Sequence, residues 1–155
     1  MRLLNVAAGF TNWNPVTDKI RTFVDSGVLI TAARGSGESA NDALAILDDP
    51  DREFVSSFFI RLEVIPKPSY FNRESELSFY NNFFDAVAIW ADPKGILDDA
   101  LSTACKFGLS AVDSLHIAAA LSAGATEFIT TELPTKPLHR VPDIRVTTIW
   151  LDRIS

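Results

Sequence analysis

The chain has few residues that form disulfide bridges or bind soft metals. It contains one cysteine, Cys105, and two histidines in 155 residues. A single cysteine excludes an internal disulfide and is compatible with a reducing cytoplasm, where we expect the protein to reside. Because Cys105 lies in a segment with helical periodicity, we predict that it is a small core residue.

Long apolar stretches and excess positive charge are missing too. The apolar runs are interrupted well short of the ~18–20 residues that span a bilayer, so we expect no membrane segment. With 14 basic and 20 acidic residues the net charge is −6. This balance argues against broad attraction to nucleic acid, because Lys and Arg normally supply most non-specific affinity. A phosphodiester substrate would therefore need a bound cation or a basic partner to offset the acids.

The composition that remains is that of a packed globule. Hydrophobic residues make up 47% of the chain and 11 residues are Phe, and this length favours a single domain. Residues 1–20 lack a steady period and contain no basic segment followed by an apolar one, so we predict an irregular extension and no secretion signal. The folded domain is predicted to cover residues 21–155.

Short strands alternate with longer helices along this domain. The predicted strands lie at 23–24, 54–56, 87–90, 127–131 and 144–151. The predicted helices lie at 26–34, 39–47, 58–64, 73–85, 92–108 and 110–123. Such alternation predicts an α/β fold with a parallel sheet and helices on both faces.

Apolar periodicity also predicts which helix faces are buried. On the third helix we expect Leu62 to face the core. On the fifth, the buried side is predicted to consist of Ile96, Leu97, Ala100, Leu101, Ala104 and Cys105.

Four acids adjoin apolar elements rather than solvated runs: Asp25, Glu63, Asp113 and Glu132. An unpaired carboxylate is costly to bury, whereas Mg²⁺ and Mn²⁺ accept clustered carboxylates as ligands. Asp25 is the strongest candidate, because it ends a buried strand and ligands of open α/β sheets bind at the carboxyl ends of strands. Alternatively, Asp113 serves only its helix N-terminus, and Glu63 is a solvated helix residue.

Other polar residues near these acids have competing interpretations. Ser26 and Thr130 either hydrogen-bond the acids or act as caps and turn residues. His116, one turn after Asp113, could be a general base, but we expect an ordinary, satisfied histidine in an apolar helix. A phosphate-transfer enzyme with Asp25 as nucleophile would need a second acid two residues later, and that position is Gly27.

Four segments together resemble a known family. They are Phe23 to Ile30, Arg61 to Val64, Leu109 to Ala120 and Phe128 to Glu132, and their order is similar to that of a PIN domain of the small bacterial VapC-like type. The resemblance implies a three-layer α/β/α fold with a central, mainly parallel sheet of about four to five strands. It also implies a Mg²⁺- or Mn²⁺-dependent ribonuclease, often the toxin of a toxin–antitoxin pair, and frequent dimerisation.

Carried over by position, the resemblance makes Asp25, Glu63 and Asp113 the metal-binding acids. Glu132 occupies the fourth catalytic position, where the family usually has Asp. The leading hypothesis is a metal-dependent endoribonuclease that hydrolyses RNA, with an antitoxin protein as partner and a homodimeric assembly. The alternative is a catalytically weak or inactive PIN-like binding module that acts through a protein partner, which the acidic isoelectric point and Glu132 favour.

Overall fold

The computed structural model describes residues 18–150. Most of the extension predicted for residues 1–20 lies outside this range. So does residue 151, the end of the last predicted strand. The proposed domain boundary at residue 21 therefore stays a prediction.

Within residues 18–150 the chain forms five strands, seven α-helices and one 3-10 helix. The strands are β1 (Ile20–Val24), β2 (Arg52–Ser56), β3 (Ile89–Trp90), β4 (Glu127–Thr130) and β5 (Arg145–Thr148). The helices are α1 (Ser26–Arg34), α2 (Glu38–Leu47), α3 (Phe58–Val64), α4 (Pro66–Tyr70), α5 (Glu74–Asp85), α6 (Ile96–Phe107) and α7 (Ala111–Ser122). The 3-10 helix is Pro137–Arg140.

The five strands form one parallel sheet in the order β3-β2-β1-β4-β5. β1 is central: Phe23 lies opposite Val55 of β2 and Phe128 of β4, and all three are fully buried. Helix α1 packs against α2, α3 and α5, while α6 packs against α7. Such a sheet is covered on both faces, as parallel sheets require. The predicted three-layer α/β/α fold with a parallel sheet is confirmed.

Local start signals place two helices at the carboxyl edge of the sheet. Helix α1 follows β1 directly and spans the predicted residues up to Gly35. Helix α3 begins after Ser57, whose hydroxyl accepts a hydrogen bond from the Ile60 N–H at 3.4 Å. This is the usual geometry of a serine N-cap. Residues at the beginning of α1 and within α3 are thereby brought to one edge.

The prediction that Leu62 faces the core is wrong. Its side chain is 56% exposed, and Ile60 and Val64 fill the core instead. A helix of seven residues offers the core one narrow face, and the pair spaced by four residues occupies it.

The buried face of α6 also differs from the prediction. Ile96 and Ala100 are buried, but Leu97 is 68% exposed, Leu101 is 66% exposed, and Cys105 is exposed. Helix α6 packs against the alanine-rich α7. The small Ala100 lies on the buried side of α6, and the larger Leu97 and Leu101 lie on the exposed side. Cys105 is therefore not a core residue.

Two smaller differences concern the middle of the chain. No helix is predicted directly after residue 64, yet Pro66 begins α4, because proline at the first helical position loses no intrahelical hydrogen bond. Strand β3 has two residues rather than the predicted four.

No single helix among residues 18–150 is long and apolar enough to cross a membrane. Helices α6 and α7 meet that test only as a pair, and the chain bends by 118° between them.

Candidate metal centre

Asp25 lies where β1 ends and α1 begins. Its N–H donates to the carbonyl of Ile129 at 2.9 Å, and its own carbonyl accepts from the Val28 N–H at 3.1 Å. Aspartate is a favoured N-cap residue, but this side chain caps no amide of α1. Instead, its Oδ2 accepts a hydrogen bond of 2.9 Å from the Thr130 hydroxyl on β4. The carboxylate is thus held at the carboxyl edge of the sheet.

Glu63 and His116 meet beside this edge. Nε2 of His116, in α7, lies 2.5 Å from Oε2 of Glu63, in α3. The histidine side chain is 1% exposed and the glutamate side chain 34% exposed. Since an ionised carboxylate only accepts hydrogen bonds, Nε2 carries the hydrogen. The other ring nitrogen, Nδ1, is buried and has no hydrogen-bond partner among the described residues.

Asp25, Glu63 and His116 form one cluster. Each offers a possible ligand atom, and these three atoms lie within 4.8 Å of one another. The two carboxylates match the oxygen ligands that Mg²⁺ and Mn²⁺ prefer. The donor set therefore fits a hard divalent cation.

The two carboxylates experience different electrostatic environments. Burial raises the pKa of Asp25 and nearby Glu63 raises it further, although His116 and the Thr130 hydrogen bond act in the opposite direction. Burial also acts to raise the pKa of Glu63, but the hydrogen bond and charge of His116, together with Ser26, outweigh it and lower the pKa. A cation at the cluster would offset the burial of Asp25 most directly.

The other two predicted acids, Asp113 and Glu132, lie outside the cluster. Asp113 is half-buried in the first turn of α7, where its N–H donates to the Ser110 hydroxyl at 3.2 Å. Glu132 is half-buried two residues after β4. Neither carboxylate belongs to the group within 4.8 Å. The structure thus brings together two of the four predicted acids, and the metal-binding and catalytic roles of all four stay predictions.

Thr130 connects Asp25 to the segment that contains Glu132. Its hydroxyl donates to Asp25 and accepts from the Glu132 N–H at 3.0 Å. Gly27 allows this segment to approach α1, because a Cβ at that position would lie 2.3 Å from Oγ1 of Thr131. The interpretation of Thr130 as a hydrogen-bond partner of the acids is confirmed, and Gly27 has a steric reason to be glycine.

Sequence reasoning missed His116. The sequence predicts an ordinary, satisfied histidine in an apolar helix, but His116 contacts Glu63 and leaves Nδ1 without a partner among the described residues. Its contact with Glu63 joins residues 53 positions apart, which no local pattern reveals. The sequence offers one signal: His116 lies three residues after Asp113, on the same helix face.

Comparison with known proteins identifies a family and similar folds. A family model described as "PIN domain" matches residues 22–132, which run from β1 to Glu132. No curated protein sequence gave a significant match.

Several solved structures share the fold. VapBC2 from Rickettsia felis, bound to a DNA fragment from its promoter, gives a TM-score of 0.63 at 16% identity, over 83% of this chain and 98% of that chain. DNA-bound VapBC from Salmonella typhimurium gives 0.62 at 15% identity, over 84% and 98%. A toxin–antitoxin complex from Klebsiella pneumoniae gives 0.62 at 18% identity, over 83% and 97%. At these identities the likeness shows the fold alone.

Proposed function

Because this chain belongs to the PIN domain family, we propose that it is a metal-dependent endoribonuclease that hydrolyses RNA phosphodiester bonds. The observation that carries the proposal is the cluster of Asp25, Glu63 and His116 within 4.8 Å. It lies at the carboxyl edge of a parallel sheet, where open α/β folds bind their ligands.

In this proposal Asp25 and Glu63 hold Mg²⁺ or Mn²⁺, Asp113 is the third metal-binding acid, and Glu132 is the fourth catalytic acid. A bound ion of this kind supplies Lewis acidity, which acidifies a water and offsets negative charge on a phosphoryl group. Thr130 fixes the carboxylate of Asp25 through its 2.9 Å hydrogen bond. Since acids alone would repel the RNA backbone, the cation is also needed for substrate to approach.

The variant Asp25→Asn tests this function. We expect it to abolish metal-dependent cleavage of a single-stranded RNA oligonucleotide, because an amide is a far weaker ligand for a hard cation. The fold should persist, since a neutral side chain is easier to bury than a carboxylate. Cleavage is measured with Mn²⁺, with Mg²⁺ and with a chelator, and folding by circular dichroism.

The control for this experiment is Asp143→Asn, which neutralises an exposed acid in the loop before β5. It should cleave like the wild-type protein. Undiminished Mn²⁺-dependent cleavage by Asp25→Asn would contradict the assigned role of Asp25.

We further propose that the protein is the toxin of a toxin–antitoxin pair and acts in the cytoplasm. The support is that the similar structures include VapBC and toxin–antitoxin complexes. We also propose a homodimer, for which the exposed leucines of α6 supply an apolar surface.

A second candidate function is a binding module without significant catalysis, acting through a protein partner. It is favoured by the position of Asp113 and Glu132 outside the three-residue cluster. Titration with Mn²⁺ separates the two candidates. Binding that Asp25→Asn abolishes supports the nuclease, whereas no binding at millimolar Mn²⁺ supports the module.

A further inference from the structure

His116 is a buried polar side chain that the proposed chemistry does not yet use. One ring nitrogen donates to Glu63, and the other is buried without a hydrogen-bond partner among residues 18–150. Leaving a buried polar atom unsatisfied is unfavourable. An apolar residue at this position in α7 would avoid that penalty. The contact with Glu63 therefore provides a reason for a histidine here.

We infer that His116 is a positioning residue, which holds the carboxylate of Glu63 in the orientation that binds the metal together with Asp25. This inference rests on the proposed function. His116 donates from Nε2 to one oxygen of Glu63, and this leaves the second oxygen for the ion.

The two partners differ in rigidity, and that difference supports the role. Glu63 has a long side chain that is 34% exposed, so fixing it in one rotamer costs conformational entropy. His116 is 1% exposed and its ring packs against Phe23, with ring centroids 6.0 Å apart. A rigid donor thus fixes a flexible acceptor before the ion arrives.

The geometry favours this role over direct ligation by the imidazole. Nε2 is already engaged by the carboxylate at 2.5 Å, and Nδ1 is buried away from solvent. Hard cations such as Mg²⁺ and Mn²⁺ also prefer oxygen to nitrogen ligands. Hydrogen-bonded partners commonly orient metal-binding carboxylates in this way.

Two variants of the full-length chain distinguish the effect of the His116 hydrogen-bond donor from the effect of its side-chain volume. His116→Leu removes the donor, whereas His116→Gln keeps an N–H near the position of Nε2. Binding of Mn²⁺ alone is measured by the loss of the free-ion signal in electron paramagnetic resonance. We expect His116→Leu to weaken Mn²⁺ binding by about 10- to 100-fold, and His116→Gln to bind close to the wild-type level.

A third measurement uses the wild-type protein and does not depend on whether a variant folds. Pulsed electron paramagnetic resonance of the Mn²⁺ complex should show no coupling to a directly coordinated imidazole nitrogen. Such a coupling would overturn the positioning role, and so would a loss of affinity in His116→Gln as large as in His116→Leu. Wild-type affinity in a folded His116→Leu protein would overturn it as well.

Asp25→Asn distinguishes failure of this inference from failure of the proposed function. If Asp25→Asn loses Mn²⁺ binding and His116→Leu retains it, the metal site stands and the positioning role falls. If the wild-type protein binds Mn²⁺ no more tightly than Asp25→Asn, the metal site and the positioning role both fall.

Discussion

At the scale of single residues, the contrast between Asp25 and Glu63 explains why a cation fits their cluster. Asp25 is 8% exposed, and the hydroxyl groups of Thr130 and Ser26 that donate to its carboxylate are neutral. Glu63 is more exposed and already has His116 as a donor. Burial raises the pKa of Asp25, and the charge of His116 offsets this effect only in part. An ion bound to both carboxylates would add positive charge directly at Asp25.

Tyr80 gives a residue-scale prediction of pH dependence. It is fully buried in α5, and its hydroxyl donates to Oε1 of Glu76 at 2.9 Å. Burial raises the pKa of the Tyr80 phenol, and the hydrogen bond and charge of Glu76 raise it further. Above about pH 10 the unfolded chain loses this proton while the folded protein retains it. The stability that Tyr80 contributes is therefore complete below that pH and is lost as the pH rises further.

The variant Tyr80→Phe should show a smaller fall in unfolding free energy between about pH 9 and about pH 11. It should also lose about 1 kcal/mol at neutral pH, because the hydrogen bond to Glu76 is removed. Urea unfolding at several pH values measures both effects. Tyr70→Phe is the control, since Tyr70 is 81% exposed. Identical alkaline slopes in Tyr80→Phe and the wild-type protein would contradict the prediction.

At the scale of secondary-structure elements, the sequence predicts best where a local signal marks a boundary. Asp25 and Gly35 frame α1, and Ser57 begins α3, so both helices lie where they were predicted. The buried side of α6 has no such signal, because two apolar stripes run side by side along it. The tertiary contacts of α6, with α7 and with the 3-10 helix, decide which stripe is covered.

The candidate site is likewise only partly predictable from the sequence. The acid at the end of β1 is recognisable from its place after a buried strand. The hydrogen bond from Thr130 to Asp25 joins residues 105 positions apart, so only the pairing of β1 with β4 brings them together. The resemblance to PIN domains supplied the order of the acids but not which of their carboxylates converge.

Glu127 gives an element-scale prediction about the opposite edge of the sheet. Its side chain is 3% exposed, and its carboxylate contacts Nη1 of Arg52 on β2 and Nη2 of Arg145 on β5, as well as the Thr22 hydroxyl on β1. One residue of β4 thus connects to three other strands. Glu127→Gln should lower the unfolding free energy by about 2–3 kcal/mol, because Arg52 and Arg145 lose a buried charged partner and Arg52 keeps only Asp49.

The matched control is Glu53→Gln, which removes the more exposed ion pair with Arg21 and should cost less than about 1 kcal/mol. Urea unfolding measures both variants. Mn²⁺ binding should be unchanged in Glu127→Gln, since Glu127 begins β4 and the metal cluster lies beyond the other end of that strand. Equal, small losses in the two variants would show that the contacts of Glu127 contribute little.

At the scale of the whole molecule, the acids at the two edges of the sheet have different partners. Glu127 at the amino edge has two guanidinium partners. Among residues 18–150, no lysine or arginine forms a salt bridge with Asp25 or Glu63 at the carboxyl edge. The acid at the amino edge is therefore neutralised by arginines of the protein itself, whereas the acids at the carboxyl edge remain able to bind a cation. This asymmetry supports the carboxyl edge as the functional one.

The exposed leucines of α6 give a prediction about assembly. Leu97 and Leu101 are 68% and 66% exposed, and their spacing of four places them on one helix face. Burying each leucine against a second copy would contribute about 1.5–3 kcal/mol. We expect the wild-type protein to sediment as a dimer, and the double variant Leu97→Lys, Leu101→Lys to sediment as a monomer with an unchanged circular dichroism spectrum. Tyr70→Lys, at an 81% exposed position outside this face, should remain dimeric. A monomeric wild-type protein throughout a concentration series in sedimentation velocity would contradict the dimer, and a dimeric double variant would place the interface on another surface.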